Sequence, residues 1–147
     1  MTWLLPPVLV AICLTTMIGM DQLLPVTDVI PMPWKWLGAL VFVAGAALNL
    51  PSAAQFHRRH INIIPFRDPE AVVDTGLFAY TRNPMYLGFT LNLLGVAIFL
   101  GSPLPFVMVL VFFLAADRWY IPDEERRLQH IFGEEYAAYC ARVRRWL

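Results

Sequence analysis

The sequence predicts an all-α fold: a polytopic membrane protein of four transmembrane helices with a C-terminal amphipathic helix on the cytoplasmic side. Three observations predict it. Of 147 residues, 59% are hydrophobic and 15% charged, against about 45–50% and 25% in an ordinary soluble domain. One small soluble core cannot hide that much apolar surface, so lipid must cover part of it. The apolar residues fall in long uncharged runs, and a bilayer crossing takes about 17–25 such residues. Ten of the eleven basic residues are arginines, confined to two segments that the runs leave on one side.

The first run, 3–20, ends at Asp21. Pro6 and Pro7 fall in its first turn, where a missing N–H costs least. It lacks the basic start and small-residue cleavage site of a signal peptide, so it is read as a span. The second run, 36–55, ends before His57-Arg58-Arg59-His60, and Pro51 is expected to kink it. The third covers 84–100. The fourth, 104–120, reaches crossing length only if it continues through Tyr120, which holds Asp117 and Arg118 at the inner interface. Asn49 and Asn92, inside the second and third runs, are expected to hydrogen-bond between helices. Trp34, Trp36, Trp119 and Tyr120 fall at the interfaces, where amphipathic rings prefer to sit.

Arg58, Arg59, Arg67 and Arg82 follow the second run. Arg118, Arg126, Arg127, Arg142, Arg144 and Arg145 follow the fourth. The opposite side holds only Lys35. Cytoplasmic loops collect Lys and Arg, so both termini are expected inside and the span count is even. The outer connections are short, with Asp21 and Asp28 as solvated ends. The cytoplasmic segments, 56–83 and 121–147, are long, and residues 1–147 read as a single membrane domain. After Asp123, Leu128, Ile131, Phe132, Tyr136, Tyr139 and Val143 recur at spacings of three and four, the pattern of an amphipathic helix that Gly133 bends or breaks.

A net charge of +0 and a pI near 6.8 argue against nucleic-acid binding, which needs a basic face to displace counterions. Cys13 and Cys140 match neither a disulfide framework nor a metal spacing, and the histidines suggest no metal site. A transporter should carry ionisable residues deep in its spans, and these spans have none. Two short segments carry more chemistry. In 74–88, Gly76 permits a tight turn, Asn83 suits an N-cap and Pro84 the first helical position. The helix start offers free N–H groups to an anion, with Arg82 beside it to pair with a carboxylate. An ordinary helix start with a headgroup arginine explains the same residues. In Pro122-Asp-Glu-Glu125 the acids complement the helix dipole, or one of them binds an ammonium or ribose hydroxyls. Adjacent residues point about 100° apart, so only one of Glu124 and Glu125 faces a site.

Together these features form a pattern. Gly76-Leu-Phe-Ala-Tyr-Thr-Arg-Asn-Pro-Met-Tyr-Leu-Gly88, then Glu124-Glu125, Phe132-Gly-Glu-Glu-Tyr136 and Val143-Arg-Arg-Trp146, resembles the isoprenylcysteine carboxyl methyltransferase family. Its broader relatives are the phospholipid and thiol methyltransferases of membranes. The resemblance implies S-adenosylmethionine-dependent methyl transfer at the cytoplasmic face, with the cofactor closed in by the two inner segments. A lipophilic or small-molecule acceptor would enter from the lipid. It assigns cofactor contacts to Glu70, Val72, Val73, Gly76, Phe78, Arg82, Asn83, Pro84, Tyr86 and Glu125, with Arg82, Tyr86 and Glu125 as the catalytic set.

Glu70 and Asn83 stand where the family has histidine, and Asn83 keeps a hydrogen-bond donor. Tyr120 stands where the prenylcysteine enzymes keep a substrate arginine, and Tyr120 and Arg118 are the residues assigned to the acceptor. Arg118 lies two residues away, about 200° round a helix, and is expected to face elsewhere. Acceptors that are neutral or bear an amine or thiol are therefore expected over a prenylcysteine carboxylate. The preference for arginine over lysine suggests a bacterial inner membrane. The competing reading is a non-catalytic membrane protein that binds a lipid or protein partner through its cytoplasmic face.

Overall fold

The computed structural model describes residues 5–24, 27–58 and 71–147. Among the described residues every regular element is helical. They are α1 (Pro6–Leu23), α2 (Trp36–Arg58), a 3₁₀ turn (Gly76–Ala79), α3 (Pro84–Leu100), α4 (Pro105–Ala115), α5 (Ile121–Phe132) and α6 (Glu134–Arg142). Prolines open α1, α3 and α4, where their locked φ suits the first turn. Pro51 lies within α2, which continues past it.

Three helices are long and apolar enough to cross a membrane: Pro6–Leu23, Trp36–Gln55 and Pro105–Phe132. Of the four expected spans, the third forms a shorter apolar helix, α3, of 17 residues, bounded by Pro84 at one end and Gly101 at the other. The fourth run is longer than expected. α4 passes through a wide π turn, Ala116–Tyr120, directly into α5, giving a 28-residue rod, about 42 Å at 1.5 Å per residue. The helix expected after Asp123, bent or broken at Gly133, forms as two, α5 and α6. Gly133 parts them at φ +49°, a conformation open to glycine and costly for other residues.

α3 touches α1, α2 and α4 and forms the centre of the bundle. In lipid there is no hydrophobic force between helices, so close approach and polar bonds must hold them together. The α2–α3 seam uses both. Gly38 lies against Gly95, and Gly45 against Gly88, and a Cβ on Gly45 or on Gly95 would meet the opposite backbone carbonyl at 2.6 Å. Between these contacts Asn49 Nδ2 donates to Asn92 Oδ1 at 2.8 Å, and Asn92 Nδ2 donates to the Phe42 carbonyl at 2.7 Å. The interhelical role expected of both asparagines is what forms. On the other side of α3, Cys13 and Met17 of α1 are buried with Leu93, Ala97, Val109 and Phe112. Outward faces of α1, α2 and α4 expose Ile12, Leu40, Val43, Leu50, Val107 and Leu110. Apolar faces of this extent suit contact with lipid and fit a membrane protein.

The helices run up and down, so the connections gather at two ends. At one end Lys35 Nζ pairs with Asp28 at 2.5 Å and donates to the Leu100 carbonyl at 2.9 Å. Ser102 donates to Asp21 at 2.6 Å. Asp21 and Asp28 are thus partners in a tied-down turn, not merely solvated ends. The opposite end collects residues 71–83, the π turn, α5, α6 and the C-terminal tail.

Candidate functional site

The site begins where α2 meets the 3₁₀ turn. Gly76 has φ +65°, which favours glycine, and the end of the Gln55 side chain lies against it. Gln55 donates to the carbonyl and hydroxyl of Thr75 at 3.0 and 2.9 Å. Val73 and Phe78 are buried together. The Tyr139 hydroxyl of α6 donates to the Phe78 carbonyl at 2.7 Å. Burial pushes that hydroxyl up to about 12, so it stays a donor at physiological pH. Val72 packs on Tyr136, Tyr139 and Val143, and Arg142 reaches Asp74 at 3.4 Å. α6 therefore serves as the floor on which the 71–80 segment rests.

The chain then enters α3 through Thr81-Arg82-Asn83-Pro84. Asn83 occupies the N-cap seat, but its side chain makes no capping bond. It donates instead to the Arg145 carbonyl at 3.1 Å, as does the Thr81 hydroxyl at 3.1 Å. The Arg82 backbone N–H donates to the Arg144 carbonyl at 2.9 Å. The loop is thus stitched to the tail, and Pro84 is fully buried beneath it.

Around this stitch lies a cluster of charges. Arg82 Nη2 is 3.3 Å from Glu125 Oε1, with side chains only 15% and 19% exposed, and Arg82 Nη1 donates to Cys140 Sγ. Arg145 grips Glu125 with both arms, Nη2 to Oε2 at 2.6 Å and Nε to Oε1 at 3.2 Å. It also stands 3.5 Å from Asp117 in the π turn, and Trp146 Nε1 donates to the same Asp117 oxygen at 3.0 Å. A carboxylate offers about four lone-pair sites. Glu125 has three arginine N–H groups at its oxygens, so little acceptor capacity is left. Arg82 Nε is buried with no hydrogen-bond partner among the described residues.

Tyr86, in the first turn of α3, donates to Glu124 at 3.4 Å and stacks on Tyr120, ring centroids 6.3 Å apart. Tyr120 is one wall of an open groove of about 470 Å³ between α1 and the α4–α5 rod. Leu9, Val111 and Ala115 make its apolar part, and Arg118, Trp119, Asp123 and Arg126 its polar part. The expectation that Arg118 faces away from Tyr120 is corrected, since both line this groove. Arg118 is 73% exposed and lies 3.4 Å from Asp117.

The structure therefore brings Arg82, Asn83, Pro84 and Glu125 to one point, with Val72, Val73, Gly76 and Phe78 in the adjoining segment. Tyr86 sits on Glu124 instead of Glu125, one turn over, and connects the cluster to Tyr120 and Arg118. Glu70 lies outside the described residues. Sequence reasoning missed Arg145, Asp117 and Trp146 as members of the site. The signal was the tail Val143-Arg-Arg-Trp146, which is part of the family pattern but to which the resemblance assigns no contact.

Comparison with known proteins follows the same segments. A model of the phospholipid methyltransferase family matches residues 34–135, which takes in Arg82, Tyr86 and Glu125 and stops short of the tail. Protein-S-isoprenylcysteine O-methyltransferase B of Arabidopsis thaliana is 29% identical over 110 residues, covering 72% of this chain and 55% of that protein. The protein-S-isoprenylcysteine O-methyltransferase of Mus musculus is 31% identical over 118 residues, 74% of this chain and 40% of that protein. An uncharacterized protein of Haemophilus influenzae is 41% identical over 63 residues, 43% of this chain and its own whole length. The chain thus spans only about half, or less, of the named methyltransferases it matches. No solved structure matches it. With more than half of its residues matched, the chain belongs to the phospholipid methyltransferase family, in the branch that resembles the isoprenylcysteine O-methyltransferases.

Proposed function

We propose that the chain is an S-adenosylmethionine-dependent methyltransferase of the membrane, acting on a lipophilic or small acceptor at the cytoplasmic face. The observation that carries this reading is the buried Arg82 Nε–H with no partner among the described residues. A buried donor left unpaired costs about 1–3 kcal/mol, and an anionic group brought to it recovers that loss. The carboxylate of S-adenosylmethionine suits this donor, and what acceptor capacity Glu125 retains suits an ammonium or a ribose hydroxyl. The residues present therefore fit the cofactor. Arg82, Asn83, Glu125 and the Val72–Phe78 segment would hold it.

When bound, the cofactor supplies a methyl group already activated on a sulfonium. What remains for the protein is to hold the acceptor and methyl about 3–3.5 Å apart and aligned, and to keep water out. The buried stitch between the Arg82–Asn83 loop and the tail supports the second task. The groove bordered by Leu9, Val111, Arg118 and Tyr120 is the acceptor's approach, open to the side for a membrane amphiphile. Tyr120 and Tyr86 form the wall between it and the charged cluster. In this reading α3 is a fourth span, short but enclosed by the other three. Both charged segments and both termini are cytoplasmic. The chain is one membrane domain of a bacterial inner membrane.

The test is methyl transfer from labelled S-adenosylmethionine in proteoliposomes, across acceptors that do and do not partition into lipid. Lipophilic acceptors are expected to outperform soluble ones, and no transfer to any acceptor would contradict the proposal. Reporter fusions at residues 28, 102 and 147 should report outside, outside and inside. A cytoplasmic signal at residue 102 would overturn the four-span arrangement.

A further inference from the structure

Arg144, Arg145 and Trp146, which follow Val143, tie together several parts of the charged end. The Arg144 carbonyl takes the Arg82 N–H. The Arg145 carbonyl takes the Thr81 hydroxyl and the Asn83 amide. The Arg145 guanidinium takes Glu125 of α5 and Asp117 of the π turn. Trp146 donates to Asp117 and stacks on Phe113 of α4, centroids 5.0 Å apart. One short extended strip therefore joins the loop before α3, the π turn and α5.

The distances decide which arginine owns Glu125. Arg145 holds it at 2.6 Å and in the two-armed geometry that is the strong form of an arginine–carboxylate pair. Arg82 is looser, at 3.3 Å through one nitrogen. Without the Arg145 side chain, Glu125 would be free to turn fully onto Arg82. That would use up the guanidinium that the proposed cofactor site needs open. We propose that Arg145 is a positioning residue: by taking Glu125 for itself, it leaves Arg82 oriented with a free Nε–H, and so sets cofactor affinity without touching the cofactor. This inference rests on the reading of the Arg82–Glu125 cluster as the cofactor site.

Side-chain substitution at Arg145 leaves its carbonyl, and so the bonds from Thr81 and Asn83, in place. The tail should stay docked. The experiment is calorimetry of S-adenosylmethionine and its demethylated product on the full chain in detergent, for wild type, Arg145→Ala, Arg145→Lys, Glu125→Gln and the Arg145→Ala/Glu125→Gln double variant. Thermal unfolding of each runs beside it. Arg145→Ala is expected to weaken binding about tenfold, a typical size for coupled neighbours, raising KM for the cofactor with little change in kcat. Arg145→Lys, which keeps the charge and loses the planar fork, is expected to recover only part. In the Glu125→Gln background the Arg145→Ala effect should largely vanish, because it acts through that carboxylate. An unchanged affinity in a folded Arg145→Ala protein would overturn the proposal, and so would an equal loss with and without Glu125. Wild type that binds no cofactor would remove the cofactor reading itself, and this inference with it. Wild type that binds while Arg145→Ala binds equally removes the inference alone.

Discussion

The α2–α3 seam and the charged cluster at the end of the bundle are held by opposite means. The seam is shape: glycines stand backbone to backbone with two asparagines between them, and the volume leaves no slack. The cluster is charge: Arg82, Glu125, Arg145 and Asp117 share partners over distances from 2.6 to 3.5 Å, and one buried donor stays unspent. Close packing determines how tightly a bundle fits, whereas an over-supplied charge network can admit a new anion. The seam is thus the scaffold, and the cluster is where we propose the cofactor is held.

The largest expected effect comes from adding volume to the seam. Gly95→Leu drives a side chain into the Gly38 carbonyl and the Phe42 backbone, and overpacking of this kind costs about 3 kcal/mol or more. Thermal unfolding in detergent should show the protein failing to assemble or melting far earlier. Gly19→Leu, on a helix face with nothing within 4 Å, should leave the melting temperature nearly unchanged. Equal behaviour of the two variants would break the contrast. Removing the polar link is milder. Asn92→Ala loses both the Asn49 and Phe42 bonds and should cost about 1–2 kcal/mol, read in the same assay, with cofactor affinity little altered.

At the charged end, Tyr139→Phe removes one bond between α6 and the Phe78 turn and should cost about 1 kcal/mol. Its pH dependence has a defined sign. The hydroxyl is raised from 10.0 to about 12 by burial, so the folded state holds its proton more tightly. That contribution is complete below pH 10 and is lost as pH rises toward 12. Wild-type stability should therefore fall over that alkaline window, and Tyr139→Phe should flatten the fall. The smallest effect is expected at Arg118. Because it is exposed on the groove, Arg118→Ala should slow transfer to an anionic lipophilic acceptor about two- to fivefold, the scale of a solvated ion pair, and leave a neutral acceptor unchanged. Equal slowing of both would show that Arg118 does not read acceptor charge.

How much of this the sequence carried depends on the kind of force involved. The apolar runs and the one-sided arginines were legible because composition alone reports on lipid and on charge. Arg82, Asn83 and Glu125 were legible because their motif resembles a family. The glycine seam was not. Gly38 and Gly45, like Gly88 and Gly95, are seven apart, but a spacing does not name the helix that packs on it. The π turn at Ala116–Tyr120 has no residue signature, and helical angles alone do not show that Arg118 and Tyr120 both line the groove beside α1. Asn83 took its expected seat and gave its side chain to the tail, because the Arg145 carbonyl lay within reach. Arg145 was counted only as a cytoplasmic arginine, since in a terminal run of arginines nothing local tells a headgroup contact from a half-buried clamp.

The most direct measurement is calorimetry of S-adenosylmethionine on wild type and Arg82→Lys. Lysine keeps a cation beside Glu125 and removes the Nε–H, so it separates charge from the unpaired donor. Wild type is expected to bind in the micromolar range or tighter, worth roughly 8 kcal/mol at 1 μM. Arg82→Lys is expected to lose about 1.5–3 kcal/mol of affinity, the range for a charge-assisted bond, while staying folded with a melting temperature lowered only by the loss of the Cys140 bond. Equal affinity for the two folded proteins would contradict the claim that the buried Arg82 donor is where the cofactor is held.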